Sequence, residues 1–183
     1  MNNLDALRND CIIKQKRGLH FIFTSVIIWI GILLVNLSSM PLLTKNLFTF
    51  MCTALLLPIA FLMSKLLKID FQNKDNPLTV LGVLLSSNQI LYLLIAMWIY
   101  SAIPNKMVMV IAIIFGAHLL PYSWLYKSKS YLIFSIVISF LALFIGLTSS
   151  SVVLASLMII IELVFGFTLV LENKREIEDS LND

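Results

Sequence analysis

The stretch KMVMVIAIIFGAHLLPYSWLY, residues 106–126, is an almost uninterrupted run of apolar side chains. Its length matches the roughly 20 apolar residues that an α-helix needs to cross a bilayer. The run is continuous and does not alternate between apolar and polar residues, which favours a helix over a strand of a membrane barrel. The stretch therefore predicts a membrane-spanning helix.

Five further apolar runs of similar length lie on either side of this stretch. The six predicted spans are residues 19–38, 46–67, 78–101, 106–126, 130–148 and 150–172. Of the 183 residues, 60% are hydrophobic and only 13% are charged, whereas an ordinary soluble domain has about 25% charged residues. A bilayer accepts such apolar segments as helices, because a helix satisfies its own backbone hydrogen bonds. The sequence predicts an all-α integral membrane protein, a six-helix transmembrane bundle with short loops.

Lys and Arg are distributed unequally between the two sides of this bundle. Of the 13 basic residues, only Lys45 and Lys106 fall on one side. Because basic loops stay on the cytoplasmic side, we predict a protein of the cell membrane with both termini cytoplasmic. Residues 1–18 then form a cytoplasmic lead, either an amphipathic helix on the membrane surface or a frayed basic anchor. Residues 173–183 form a charged cytoplasmic tail that continues the last helix.

Several polar side chains lie at one depth within the predicted bundle. Each is 11 or 12 residues from the end of its helix, a distance of about 18 Å at the rise of an α-helix. The residues are Glu162 in the sixth span, His118 in the fourth, and Asn88 and Gln89 in the third. Polar residues that share one level on three different helices predict a site near the membrane midplane.

Glu162 is the most informative residue of this level. A carboxylate near the bilayer centre costs about 3 kcal/mol or more unless it is protonated, paired or in contact with water. Small residues at helical spacing indicate that the face of the sixth span carrying Glu162 points inward. We interpret Glu162 and His118 as a protonatable pair that holds or exchanges one proton near neutral pH. Asn88 and Gln89 are expected to complete its hydrogen bonds, or to act only as links between helices.

Two tyrosines and two prolines extend the predicted site. The tyrosines lie one helical turn from polar residues of this level and are expected to line a ligand site; they are Tyr122 and Tyr92. Pro121 removes one backbone hydrogen bond in the fourth span, and Pro58 lies at the same depth in the second span. Both prolines are predicted to bend their helices.

The stretch GAHLLPYSWLYKSKSY, residues 116–131, combined with six spans and a cytoplasmic N-terminus, resembles a family of small, uncharacterised bacterial membrane proteins. The resemblance covers most of the predicted spans. It implies the six-span layout, but it implies no activity and assigns no role to any residue.

Three functions are compatible with this pattern. The leading hypothesis is a protein that binds or transports a small, largely apolar or weakly polar solute. The second is an intramembrane enzyme that acts on lipid with His118 and Glu162 as acid and base. The third is a non-catalytic accessory protein in which the polar residues only join helices.

Known catalytic and metal-binding motifs do not decide between these functions. The sequence contains no phosphate-binding glycine loop and no metal-ligand or nucleophile motif. No catalytic residue, cofactor or metal is therefore predicted. The expected partners are the lipid bilayer, a small-molecule ligand, and a second copy of the chain or another membrane protein. Nucleic acid is not expected, since the membrane topology accounts for the basic residues.

Overall fold

A computed structural model of the chain describes residues 3–71, 73 and 75–182, without the side chains of 177 and 179–182. Five residues of the predicted lead, second loop and tail lie outside the described residues: Met1, Asn2, Gln72, Lys74 and Asp183. Within the described ranges the chain is helical and has no strand, and six helical stretches are long and apolar enough to cross a membrane. The all-α class and the six apolar helices expected from the sequence are thus confirmed.

Nine α-helices occur in the described part of the chain. They are α1 (Asn3–Gln15), α2 (Leu19–Leu37), α3 (Leu42–Ala54), α4 (Leu56–Leu66), α5 (Pro77–Ala102), α6 (Met107–His118), α7 (Leu120–Leu125), α8 (Lys129–Thr148) and α9 (Ser151–Asn182). Short 3₁₀ turns at Lys16–Gly18 and Pro104–Lys106 precede α2 and α6. Two predicted spans are each divided in two, since α3 and α4 occupy the second and α6 and α7 occupy the fourth.

The divisions coincide with the two prolines. The second span is interrupted at Leu55, just before Pro58, and the fourth at Leu119, just before Pro121. A proline has no N–H and crowds the carbonyl one turn earlier, so a helix bends in the turn that precedes it. As a result, His118 is the last residue of α6.

The helices pack as an open row. Close neighbours follow the order α4, α2, α9, α8, α6, α5, and the two helices at the ends of this row, α4 and α5, do not pack closely on one another. At one end of the bundle α3 approaches α5, and at the other end α1 does. A space is therefore left between α4 and α5, bounded by α2 on one side and α6 on the other.

Burial differs strongly among the six apolar helices. In the first, 56% of the apolar window is buried inside the chain, but in α5 the share is 6%. The fully buried core includes Trp29 and Ile32 of α2 and Phe165 and Leu169 of α9. The outward apolar side chains of α5 form a surface of the kind that lipid covers in membrane proteins.

The lead folds back on the bundle as a packed helix. Cys11, Ile12 and Gln15 of α1 are buried. Between α1 and α2, residues 16–18 have φ angles of 45°, 51° and 68°, which is a left-handed turn. A left-handed conformation costs a non-glycine residue roughly 1–2 kcal/mol, so the two basic residues that precede Gly18 must be held there by contacts elsewhere.

Candidate functional site

A cavity of about 840 Å³ fills the space between α2, α4, α5 and α6. This volume lies within the range of roughly 300–1,000 Å³ that is usual for small-molecule sites. Among the described residues, no Asp, Glu, Lys or Arg lines the cavity. Its wall includes Leu57 of α4 and Val80, Val83 and Ile90 of α5, each more than half exposed. The cavity therefore reaches the outer apolar surface between α4 and α5.

The lining changes from polar to apolar along the cavity. α2 and α5 begin at the end of the bundle where α7 ends, and there the lining is rich in polar side chains: Gln15, His20, Thr79 and Tyr126. Further along α2 and α5 the lining is apolar: Trp29, Ile32, Ile90 and Leu93. A cavity with one polar and one apolar end matches a ligand with the same division.

His118 lies in the wall of this cavity. Its Nδ1 is 2.6 Å from the carbonyl oxygen of Phe115. A carbonyl oxygen only accepts hydrogen bonds, so Nδ1 is the donor. In the neutral ring, Nε2 then carries the lone pair and is available to accept a hydrogen bond from a ligand.

Tyr122 also lines the cavity and joins α7 to α5. Its hydroxyl donates to the carbonyl oxygen of Gly82 at 2.9 Å and lies 2.5 Å from the hydroxyl of Ser86. Because the tyrosine has one hydroxyl hydrogen, Ser86 donates to Tyr122. These two bonds hold the middle of the cavity wall together.

The predicted residues of the third span separate in the structure. Gln89 lines the cavity. Asn88 does not, and its side-chain amide donates to the Tyr92 hydroxyl at 2.8 Å on the exposed face of α5. The lining residues of α5, such as Gln89 and Ile90, share one side of the helix, and Asn88 projects from the opposite side. The grouping of Asn88 and Tyr92 with Gln89 expected from the sequence is not observed.

Glu162 is fully buried behind the cavity wall. Its Oε2 lies 2.6 Å from the hydroxyl of Ser25, a residue of α2 that does line the cavity. Its Oε1 has no hydrogen-bond partner among the described residues. No hydrogen bond or ion pair joins Glu162 to His118; Glu162 contacts Ser25, and His118 contacts the carbonyl oxygen of Phe115. The direct pair expected from the sequence is not formed, because α9 packs Glu162 against α2.

The hydroxyl of Ser25 indicates the protonation state of Glu162. Ser25 Oγ is 2.7 Å from the carbonyl oxygen of Ile22 as well as 2.6 Å from Glu162 Oε2. A serine has one hydroxyl hydrogen, so both contacts are full hydrogen bonds only if Ser25 donates to Ile22 and Glu162 donates to Ser25. A protonated glutamic acid also avoids a buried, unpaired charge. The geometry favours an uncharged Glu162.

His20 is a second histidine in the cavity wall, and sequence reasoning missed it. It is 1% exposed and packs against the rings of Phe21 and Phe71, with centroids 4.2 and 4.9 Å away. Neither ring nitrogen has a hydrogen-bond partner among the described residues. A polar residue two positions after Gly18, at the start of an apolar run, was a usable signal. The polar level predicted near the membrane midplane included neither His20 nor Ser25.

The polar end of the cavity is closed by a satisfied hydrogen-bond network. The Tyr126 hydroxyl donates to Gln15 Oε1 at 2.8 Å, and Gln15 Nε2 donates to Thr79 Oγ1 at 3.0 Å. These bonds tie α1 to α5 and to the end of α7. Because its groups are paired, this network has a structural role, unlike the neighbouring His20.

A second cluster, the Arg17 clamp, lies outside the cavity. The guanidinium of Arg17 donates to Asn173 Oδ1 at 2.9 Å and to Glu176 Oε2 at 2.7 Å. Its Nε is 3.6 Å from Glu172, which accepts from the backbone N–H of Ser130 and from the hydroxyls of Ser128 and Ser130. The clamp joins the left-handed turn, α8 and α9, and offsets the strain at Arg17.

The chain belongs to the DUF7010 family, a family of unknown function, which it matches over residues 4–172. The match covers almost all of the six apolar helices and every residue of the cavity wall named above. No curated protein and no solved structure matches the chain. The function must therefore be argued from the site itself.

Proposed function

We propose that the chain is a multi-pass protein of the cell membrane with both termini in the cytoplasm. The distribution of Lys and Arg supports this orientation. The two lysines on the other side have local roles: Lys45 Nζ donates to the carbonyl oxygen of Asn36 at 3.0 Å, and Lys106 Nζ donates to that of Gly146 at 2.7 Å. Both carbonyls lie near a helix C-terminus, where a cation is favourable. In this orientation the polar end of the cavity lies on the cytoplasmic side.

We infer that the protein binds one small, uncharged, largely apolar solute in this cavity and that the solute enters from the bilayer. The observation that carries the proposal is a cavity of about 840 Å³ whose wall, in the part of the chain that the structure describes, has no charged side chain and has a margin of exposed apolar side chains on α4 and α5. A charged solute would meet no counter-charge there. Transport of the same solute is an extension of this binding step.

Three cavity residues supply polar contacts for the solute in this proposal. Nε2 of His118 accepts a hydrogen bond, and the amide of Gln89 both donates and accepts. Ser25 connects the cavity to the protonated Glu162, 2.6 Å behind it. Binding of the solute beside Ser25 would therefore be coupled to the proton on Glu162.

Trp29 provides a direct test of binding. It is 2% exposed and lines the cavity, so a bromine atom dissolved in the surrounding lipid cannot reach its ring. Of the three tryptophans, Trp98 and Trp124 are replaced by Phe, and the protein is placed in phosphatidylcholine nanodiscs. A bromine-terminated long-chain methyl ether is then titrated. We expect saturable quenching of Trp29 fluorescence.

Two alanine positions provide matched variants. Ala54→Phe adds a ring to the cavity wall, whereas Ala102→Phe adds the same ring at an exposed site on α5 outside the wall. We expect Ala54→Phe to weaken quenching about tenfold or more, because the ring takes part of the ligand's volume. Ala102→Phe should have no effect. Absence of saturable quenching, or equal quenching in both variants, contradicts the proposal.

A further inference from the structure

Among the described residues of the cavity wall, His20 alone has side-chain hydrogen-bonding groups that are buried and without a partner. It is 1% exposed, it lines the polar end of the cavity, and neither ring nitrogen has a partner among the described residues. Its polar neighbours at this end, Gln15, Thr79 and Tyr126, are bound to one another. Buried polar groups are nearly always paired in folded proteins, and an exception calls for an explanation.

The chemistry of imidazole restricts what can pair with His20. A neutral ring has one N–H donor and one lone-pair acceptor on opposite edges. A hydroxyl group can satisfy either nitrogen, because it both donates and accepts. A carboxylate can only accept, and its charge would find no opposite charge on the described residues of the wall.

Building on the proposed function, we infer that His20 binds the hydroxyl headgroup of a single-chain amphiphile whose hydrocarbon tail extends along α2 toward Trp29. The rings of Phe21 and Phe71 fix the plane of the imidazole at the polar end. From His20 to Trp29 the helix rises about 14 Å, and the lining becomes apolar over that distance. A fatty alcohol and a monoacylglycerol share this chemistry.

The test compares two ligands that differ by one donor. A bromine-terminated long-chain alcohol and its methyl ether are titrated against the variant that retains only Trp29, and quenching gives both dissociation constants. The ether can accept a hydrogen bond but cannot donate one. We expect the wild-type site to prefer the alcohol about tenfold, the effect of one hydrogen bond.

Variants of His20 show whether it is the source of this preference. His20→Phe keeps an aromatic ring of similar size and should bind both probes with equal affinity. His20→Gln retains one donor and one acceptor and should restore part of the preference. Ser156→Ala removes a hydroxyl on α9 that bonds its own helix at Val152 and should leave the preference unchanged. A brominated monoacylglycerol, added with the bilayer lipids, distinguishes a membrane lipid from a free alcohol as the source of the headgroup.

The outcomes separate this inference from the proposed function. If the alcohol and the ether bind wild-type protein equally, or if His20→Phe keeps the preference, the cavity is a binding site but His20 does not recognise a hydroxyl. If neither probe quenches Trp29, the proposed function itself is wrong. If only the monoacylglycerol shows the His20-dependent preference, the amphiphile is a lipid of the bilayer.

Discussion

The two sides of this bundle are built in opposite ways. On one side α2 and α9 share an extensive contact, equalled among the described helices by that between α6 and α8, and the Arg17 clamp and the Ser25–Glu162 hydrogen bond cross it. On the other side α5 packs mainly on α6, and only 6% of its apolar window is buried. The cavity lies between these two sides. Because α2 contributes both to this packing and to the cavity wall, we expect substitutions in the Arg17 clamp and on α9 to change mainly stability, and substitutions in the wall to change mainly binding.

The largest expected loss of stability follows from a substitution in the Arg17 clamp. Arg17→Met leaves Glu172 and Glu176 without their cation and removes the contacts that hold the left-handed turn. Breaking a largely buried ion pair costs about 3 kcal/mol, so we expect unfolding in detergent to become easier by that amount. Lys174→Met is the matched control, because its pair with Glu178 is exposed and should contribute less than about 0.5 kcal/mol. Equal losses in both variants would mean that the clamp is not a source of stability.

Glycine substitutions compare the tight contact between α6 and α8 with the loosely packed helix α5. A Cβ on Gly116 would lie 2.9 Å from the backbone nitrogen of Ser139 on α8, whereas a Cβ on Gly82 of α5 would meet only Leu125 Cδ2, at 3.4 Å. Gly116→Ala is therefore expected to cost about 2 kcal/mol through overpacking. Gly82→Ala should be neutral or stabilising by up to about 1 kcal/mol, because alanine favours the helix. Thermal unfolding of the two variants measures the difference directly, and a reversed order would contradict the packing described.

Two glutamates of α9 respond differently to the same substitution. Glu162→Gln replaces a protonated acid by an uncharged group of the same shape, so stability should change by less than about 1 kcal/mol. Glu172→Gln removes a carboxylate that accepts from the Ser130 amide and from the hydroxyls of Ser128 and Ser130. This substitution should lower the free energy of unfolding by about 2 kcal/mol. The infrared band of a protonated carboxylic acid, lost in Glu162→Gln only, is an independent check. If Glu162→Gln lowers the stability as much as Glu172→Gln does, Glu162 is charged in the folded protein.

The smallest expected change in stability is at the contact between α1 and α5. A hydrogen bond from Lys14 holds the pKa of Asp10 below its ordinary value, and Asn76 and Asn73 donate to the same carboxyl. Because the folded pKa is lowered, the stabilisation is complete above the unfolded value of about 3.9 and is lost as the pH falls through the folded one. We expect Asp10 to contribute less than about 1 kcal/mol to stability, because its side chain is partly exposed.

Melting temperatures between neutral pH and about pH 3 measure this contribution. Asp10→Asn should lower the melting temperature slightly at neutral pH and reduce the loss on acidification. If both proteins lose the same stability over this range, Asp10 does not link α1 to α5.

Sequence reasoning found the apolar helices because a bilayer sets their length. It predicted bends at Pro58 and Pro121 because proline lacks the N–H that a helix needs, and the structure divides both spans close to these residues. It found the inward face of α9 from its small residues. It did not find that Ser25 is the partner of Glu162, because depth along a helix says nothing about which helices are neighbours. The cavity was also not predicted, because the residue types of α4 and α5 do not show that these two helices stay apart.

The Arg17 clamp also bears on the order in which the chain is made. Arg17 and its partners Asn173 and Glu176 are separated by 156 and 159 residues. A ribosome completes α2 long before α9, so Arg17 and Ser25 lack their partners while the intervening helices emerge. The bundle can close only when its last helix has been synthesised. A chain that stops before α9 therefore leaves Arg17 without its carboxylate partners and leaves Ser25 without Glu162.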